Sequence, residues 1–259
     1  MRVTVLGCGG SGGVPLIGGI WGRCNPANPR NRRRRVSIHV ESAGSSILVD
    51  ASPDLRQQLL DANIKHLDAV LFTHDHADHC HGIDDLRFLR SDSKAPPLQA
   101  WASPKTLAAL KERFGYIFRQ NQAGSGVLYR PFLAAHEVTG PFPVGALEVT
   151  PFEQQHGLGS VTTGYRIGRM AYSTDVVALD EAAFAVLGDL DLWIVDCLRF
   201  EPHPTHAHFD LTMSWIERVK PKRAILTNLH VDLDYETLRR ELPAGVEPAY
   251  DGMTISVVI

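Results

Sequence analysis

The sequence predicts a single α/β domain over residues 1–259, and three observations carry that expectation. Strand and helix signals alternate to both ends of the 259-residue chain, the pattern that builds layered α/β folds. No linker, repeat or shift of composition divides them. Hydrophobic residues make up 44% and charged residues 21%, an ordinary globular balance at a length that can bury a core. The 26 basic and 29 acidic residues leave a net charge of −3. That balance lacks the basic excess that draws proteins to nucleic acid or anionic membranes.

The elements follow in order. Arg2–Leu6 alternates as a first strand. Gly7–Gly13 holds five glycines in seven positions, a loop able to approach another group closely. It is no P-loop, because no Gly-Lys-Ser/Thr follows. Residues 14–35 read as irregular, broken by Pro15, Pro26 and Pro29. Val36–Glu41 and Ser45–Val49 read as strands around a turn at Ala43-Gly44. Ser52-Pro53-Asp54 starts a helix that runs through Leu55, Leu59 and Leu60. Asp68–Phe72 is an apolar strand leading into a cluster of histidines. Ser103-Pro104 starts a second helix, toward Phe114. Strands are expected at Val127–Leu133, Leu147–Phe152, Thr163–Ile167 and Met170–Ser173. A helix over Asp180–Leu187 and a buried strand at Leu192–Val195 come next. Asp210 is expected to cap a helix carrying Met213, Trp215, Ile216 and Val219. Arg223–Thr227 is a strand, Asp234–Glu241 a helix and Thr254–Val258 a last strand. No run approaches about 18 uninterrupted apolar residues, so no membrane span is expected. The N-terminal apolar run is too short for a signal peptide. Cys8, Cys24, Cys80 and Cys197 show no CxxC spacing, and reduced thiols in a cytoplasmic protein are expected.

The chemistry concentrates at Thr73-His74-Asp75-His76-Ala77-Asp78-His79, of the form H-x-H-x-D-H. Imidazole and carboxylate together suit zinc, manganese or iron(II). Donors this close cannot all reach one ion, but they can serve two, with His74 and His76 facing one and Asp78 and His79 the other. The bland alternative is a solvated loop. Its place at the end of an apolar strand argues against that, because open α/β sheets put their sites there. His156, Asp175 and His230 also follow expected strands and are candidate ligands, though taken singly a histidine is more often a surface or core residue and Asp175 could be a helix cap.

These residues, with Asp50 in Leu48-Val49-Asp50, resemble the metallo-β-lactamase superfamily of metallohydrolases. The segments Leu6–Pro15, Asp196-Cys197, His208–Leu211, Ile225–Thr227 and Tyr250–Met253 are similar to the branch of the cyclic phosphodiesterase of phosphonate breakdown, related to ribonuclease Z. The resemblance implies a four-layer αββα sandwich. It implies that His74, His76 and His156 bind one metal, that Asp78, His79 and His230 bind a second, and that Asp175 bridges them. Asp50 would orient a ligand histidine through a hydrogen bond. Two departures stand out. The early loop keeps only Cys24 of a cysteine-rich zinc site, so no structural metal is expected there. Asn228 stands where the relative has a histidine, with His230 the nearest replacement.

The expected cofactor is thus a pair of divalent ions, zinc or manganese, with iron as a further option. The expected reaction is hydroxide attack on a small cyclic or nucleotide-like phosphodiester. His208 and Asp78 are the candidate catalytic residues, His208 as the acid that protonates the leaving group. The Arg30, Arg32, Arg33, Arg34 and Arg35 run could hold a phosphate or contact RNA, but reads more simply as a loop with acidic partners. The implied partner is a small phosphorylated substrate, homodimerisation being compatible and nucleic acid disfavoured. The competing functions are transfer-RNA 3′ processing, thioester, lactone or lactam hydrolysis, and a metal-binding scaffold without catalysis.

Overall fold

Alternating side chains on fourteen strands, among the described residues, give two seven-stranded sheets whose faces are buried on both sides. The computed structural model describes residues 1–89, 96–118 and 131–257. The first sheet is built from β1 (Arg2–Gly7), β2 (Ser37–Ser42), β3 (Ser45–Val49), β4 (Ala69–Leu71), β5 (Leu98–Ala102), β6 (Leu133–Glu137) and β14 (Thr254–Ser256), in the order β14-β1-β2-β3-β4-β5-β6. The second holds β7 (Phe142–Val144), β8 (Leu147–Gly157), β9 (Ser160–Ile167), β10 (Met170–Ser173), β11 (Leu192–Asp196), β12 (Arg223–Thr227) and β13 (Val246–Pro248), in the order β13-β12-β11-β10-β9-β8-β7. Each sheet is antiparallel in one half and parallel in the other: β3 to β6 run parallel, as do β10 to β13.

Strand β11 explains the layering. Leu192 and Ile194 point into the core between the sheets, with Val5, Ile38, Val49, Tyr165 and Ile225. Trp193 and Val195 point the other way, against helices α5 (Glu181–Val186), α6 (Phe209–Val219) and α7 (Tyr235–Glu241). On the opposite side, α1 (Leu55–Asp61) and α3 (Pro104–Arg113) lay Leu55, Leu59, Leu107 and Leu110 on Leu48, Val70 and Ala100. Strands buried on both faces need no polar alternation, and the result is the expected αββα sandwich. Two single-turn helices complete the set, α2 (Ala77–Cys80) and α4 (Gly115–Phe118).

Local chemistry fixes the boundaries. Ala43 and Gly44 both take positive φ, 49° and 81°, the pair a two-residue hairpin needs. Ser103, Asp180 and Asp234 cap their helices by accepting from the amides of Thr106, Ala183 and Thr237. Helix α6 starts earlier than expected: His208, not Asp210, is its N-cap, and Asp210 lies in the first turn. Gly7 runs so close to the strand entry that a Cβ there would meet the Arg35 carbonyl at 2.1 Å. Strands β5, β7 and β13 carry no expectation from sequence. The strand expected at Val127–Leu133 lies outside the described residues over 127–130, and β6 begins only at Leu133. Val258 of the last expected strand also lies outside them. Among the described residues, no helix is long and apolar enough to cross a membrane, and all four cysteines are buried free thiols.

Candidate metal centre

The carboxyl ends of both parallel halves supply the site. Asp50 follows β3, Thr73 and His74 follow β4, Asp175 follows β10, Asp196 ends β11 and Asn228 follows β12. His156 lies within β8, which runs past its expected end at Phe152. Asp50, Asp175 and Asn228 all leave their strands in the left-handed region, at φ 63°, 54° and 63°. Asp and Asn tolerate this conformation better than other side chains, and it turns each one sharply at the sheet edge. His76 is extended just before α2, and the single turn of α2 then presents Asp78 and His79.

The donors fall into two groups. One atom each of His74, His76, His156 and Asp175 lie within 4.8 Å of one another, as do atoms of Asp78, His79 and Asp175. Asp175 belongs to both. Its Oδ2 is 3.7 Å from His74 Nε2 and 3.6 Å from His156 Nε2, and its Oδ1 is 3.2 Å from His79 Nε2. All of these except His76 and Asp78 are buried.

Hydrogen bonds on the far side of each ring decide which nitrogen faces inward. Buried Asp50 takes the His79 Nδ1 proton at 2.7 Å and the Thr73 hydroxyl proton at 2.8 Å. Having donated, the Thr73 oxygen accepts from His74 Nδ1 at 3.0 Å. His156 Nδ1 donates to the Thr205 carbonyl at 2.8 Å. Each Nε2 is thereby left to present a lone pair, the orientation that metal-binding histidines require. His74 Nε2 and His79 Nε2 are buried with no hydrogen-bond partner. Orphaned buried donors or acceptors of this kind call for an explanation, and divalent cations fit these residues. Electrostatics agree. Burial and the neighbouring His79 hold the His74 pKa well below its ordinary value. Burial works against a charged His79 too, yet the Asp175 and Asp50 carboxylates hold its pKa well above the ordinary value. The same carboxylates would favour a cation.

His230 lies outside both groups. Its Nδ1 is paired with Asp232 at 2.9 Å and its side chain is 35% exposed. His208 also belongs to neither group; its carbonyl accepts from Thr212 within the first turn of α6. His206 is the histidine beside the site. Its Nε2 lies 3.9 Å from Asp175 Oδ2, its ring centroid 4.9 Å from that of His156, and its Nδ1 3.2 Å from Asp196 Oδ2. Burial lowers the His206 pKa, but Asp196 outweighs it and raises the value to about 9. Asn228 brings its amide nitrogen to 3.2 Å from Asp175 Oδ1. His206, Asp196 and Asn228 stand beside the site without having been expected there as ligands or acids from sequence. The available signal was a carboxylate closing the otherwise apolar, wholly buried strand Leu192–Asp196.

The arginine run is taken up by the fold. Arg34 pairs with Asp61 and Arg35 with Asp54. Arg30 stacks over Tyr235 and Tyr250, and Arg32 over Trp21. Arg33 is buried and donates to the carbonyls of His230 and Leu233.

Residues 45–228 match the beta-lactamase superfamily domain. An octanoyltransferase from Porphyromonas gingivalis is 35% identical over 259 residues, covering 98% of this chain and 51% of that protein. A coenzyme PQQ synthesis protein B from Xanthomonas oryzae is 30% identical over 172 residues, covering 59% of this chain and 51% of that protein. The chain therefore spans about half the length of the curated relatives it matches. Among solved structures, a diphosphatase of the PhnP family is 34% identical, with a TM-score of 0.88, covering 100% of this chain and 98% of that one. The short form of human tRNase Z superposes with a TM-score of 0.72 at 16% identity, covering 100% of both chains, a likeness of fold alone.

Proposed function

The chain belongs to the beta-lactamase superfamily domain family, and from that premise we propose that this metal-dependent hydrolase cleaves a small cyclic or nucleotide-like phosphodiester. The observation that carries the reading is the set of three buried imidazoles, His74, His79 and His156, with Nε2 turned toward the shared Asp175 carboxylate. Similarity to a PhnP-family diphosphatase supports a phosphorus centre as the target. His74, His76, His156 and Asp175 would hold one divalent ion, and Asp78, His79 and Asp175 the other. Such ions, of the zinc or manganese class, supply a water acidic enough to attack near neutral pH and offset charge on a phosphoryl oxygen.

The chain's own residues do the rest. Asp50 and Thr73 lock two of the imidazoles in one tautomer. A displaced alkoxide needs a proton, and we assign its donor as His206 rather than His208. With Nδ1 held by the Asp196 carboxylate, which favours the charged ring, His206 is placed to carry a proton on Nε2 and give it up when an alkoxide forms beside it. Asp196 holds the ring from behind through Nδ1, so Nε2 is the atom that faces the site.

The test compares His206→Ala and His208→Ala on bis-aryl phosphodiester, 2′,3′-cyclic nucleotide, thioester and lactam substrates, with metal content measured on each sample. His206→Ala is expected to lose about 10²–10⁴-fold in rate on poor leaving groups at unchanged metal content, and His208→Ala to stay near wild type. Turnover of the thioester or lactam alone would discard the phosphodiesterase reading. Loss of metal from His206→Ala would make His206 a ligand instead.

A further inference from the structure

The early arginine segment borders a cavity that contains none of the metal-centre residues. Its volume is about 490 Å³, within the range of small-ligand sites. One wall is strand: Thr4 of β1 and Thr254 of β14 are cross-strand partners there. Strand β1 is antiparallel to β2, and β2 to β3, so Arg2 lies at the end of the sheet away from Asp50. Three arginines line the cavity, Arg2, Arg32 and Arg34. Arg34 pairs with Asp61 and Arg2 with Glu41, and all four side chains are at least 31% exposed. Ion pairs so exposed hold weakly. Arg32 is exposed and makes no ion pair among the described residues; its guanidinium stacks over Trp21, 5.1 Å from the ring centroid. Stacking uses the face of a guanidinium and leaves its N–H edge open to an acceptor. Asp251 lines the cavity too, but its Oδ2 accepts from the Arg34 amide at 2.8 Å and its Oδ1 from the Cys8 amide at 3.2 Å. Both of its oxygens are thus engaged by the main chain.

We propose that this cavity is a second ligand site, separate from the metal centre, and that it takes the phosphate group of a small phosphate monoester. A terminal phosphate carries a charge of about −1.5 to −2 near neutral pH and three acceptor oxygens. Guanidinium forks match those oxygens in geometry and charge, and three arginines on two separate segments supply them. Arg32 engages the ligand without giving up an ion pair. Arg34 and Arg2 exchange exposed carboxylates for a group of higher charge. The Thr4 and Thr254 hydroxyls offer polar partners to the organic part of the ester. The cavity has the size of a small molecule, and the chain's net charge of −3 provides no long-range field for a polyanion. The site is independent of the metal-dependent reading above, because none of its residues is a candidate metal ligand.

The test is calorimetric titration of the metal-loaded full chain with inorganic phosphate, phenyl phosphate and malonate, repeated on Arg32→Ala and Arg34→Gln. Wild type is expected to bind both phosphates, and phenyl phosphate more tightly than malonate. Each substitution is expected to weaken phosphate binding at this site by about tenfold or more, the value of a lost charge-assisted hydrogen bond. Turnover of a bis-aryl phosphodiester at the metal centre should stay at the wild-type rate in both variants. Arg32 is exposed and unpaired, so Arg32→Ala is expected to keep the wild-type urea midpoint, which separates lost binding from lost folding. Phosphate affinity unchanged in both variants would overturn the proposal, since the anion would then bind elsewhere, the metal centre included. Absence of phosphate binding in wild type would overturn it as well. Malonate binding as tightly as phenyl phosphate would overturn the assignment to a phosphate ester. None of these results bears on the metal-dependent reading, which fails separately if the bis-aryl phosphodiester is not turned over.

Discussion

His39 is buried on β2, away from the metal centre, and its Nε2 lies 2.7 Å from the Ser46 hydroxyl. That hydroxyl donates to the His66 carbonyl, so it accepts from His39, which is neutral with its proton on Nε2. Burial pushes the His39 pKa down to about 4 from 6.5, with Arg2 adding to the effect and Glu41 opposing it. Between those values the unfolded chain binds a proton that the folded chain refuses, so stability rises with pH across that window. The contribution is complete above pH 6.5 and lost as pH falls toward 4. At about 1.4 kcal/mol per unit, His39 should account for about 2 kcal/mol of the difference in unfolding free energy between pH 4.5 and pH 7.5. Urea titrations of wild type and His39→Gln at both pH values measure it, and an equal pH dependence in the two proteins would refute it. Residues also differ in how far sequence reveals them. His74, His76, Asp78 and His79 are legible because one strand end and one helical turn deliver all four. His206 is not, because His203, His206 and His208 share one loop and only the contact with Asp196 selects among them. Asn228 was visible as a departure, but its direction toward Asp175 is a tertiary fact.

The early segment behaves as an element although little of it is regular. Residues 14–35 hold only the short 3₁₀ turn Pro29–Asn31, as their prolines suggest, yet they are pinned from inside. Arg33 is 2% exposed, and its guanidinium donates to the carbonyls of His230 and Leu233 and to Asn31 Oδ1. Asn31 in turn accepts from the Tyr235 amide and donates to Asp234, the cap of α7. The segment is thus fastened to the start of the last helix and to the loop that carries Asn228. Removing the guanidinium deletes three charge-assisted hydrogen bonds, worth at most about 1.5–3 kcal/mol each, while the acceptors keep the Leu233 amide, the Cys24 thiol and the Tyr235 amide as donors. Arg33→Met should therefore cost about 2–4 kcal/mol overall, read from the urea midpoint at constant slope, and a midpoint within error of wild type would show that the network carries no stability. An arginine run read from sequence offers a count of charges without a burial. For that reason a loop with acidic partners describes Arg34 and Arg35 well and misses Arg33. Strand β5 escaped for a similar reason. Its five residues alternate only between buried and half-buried, and packing on both faces removes the polar half of the pattern.

At the scale of the whole molecule, the metal centre is a seam between the sheets. His74, His76, Asp78 and His79 come from the first sheet's edge, and His156, Asp175, His206 and Asn228 from the second's. Two hydrogen bonds already cross at this edge: the buried Tyr165 hydroxyl donates to the Phe72 carbonyl at 2.8 Å, and the Thr163 amide donates to the Thr73 carbonyl at 2.9 Å. A cation that needs donors from both sheets binds only when they are docked, so its binding free energy becomes folding free energy. At a free concentration about 1,000 times the dissociation constant, the gain is roughly 4 kcal/mol. For a chain of this size each kcal/mol shifts the midpoint by about 2–4 °C. Stripping the metal should therefore lower Tm by roughly 8–16 °C, and restoring Zn²⁺ or Mn²⁺ should recover it in a concentration-dependent way. Amide exchange adds a positional readout. Protection lost on chelation should concentrate in β4, the start of α2, the far end of β8 and the residues after β10 and β12, while β1 and β14 at the opposite edge of the first sheet hold theirs. Uniform loss, or none, would mean that the ions do not join the two sheets.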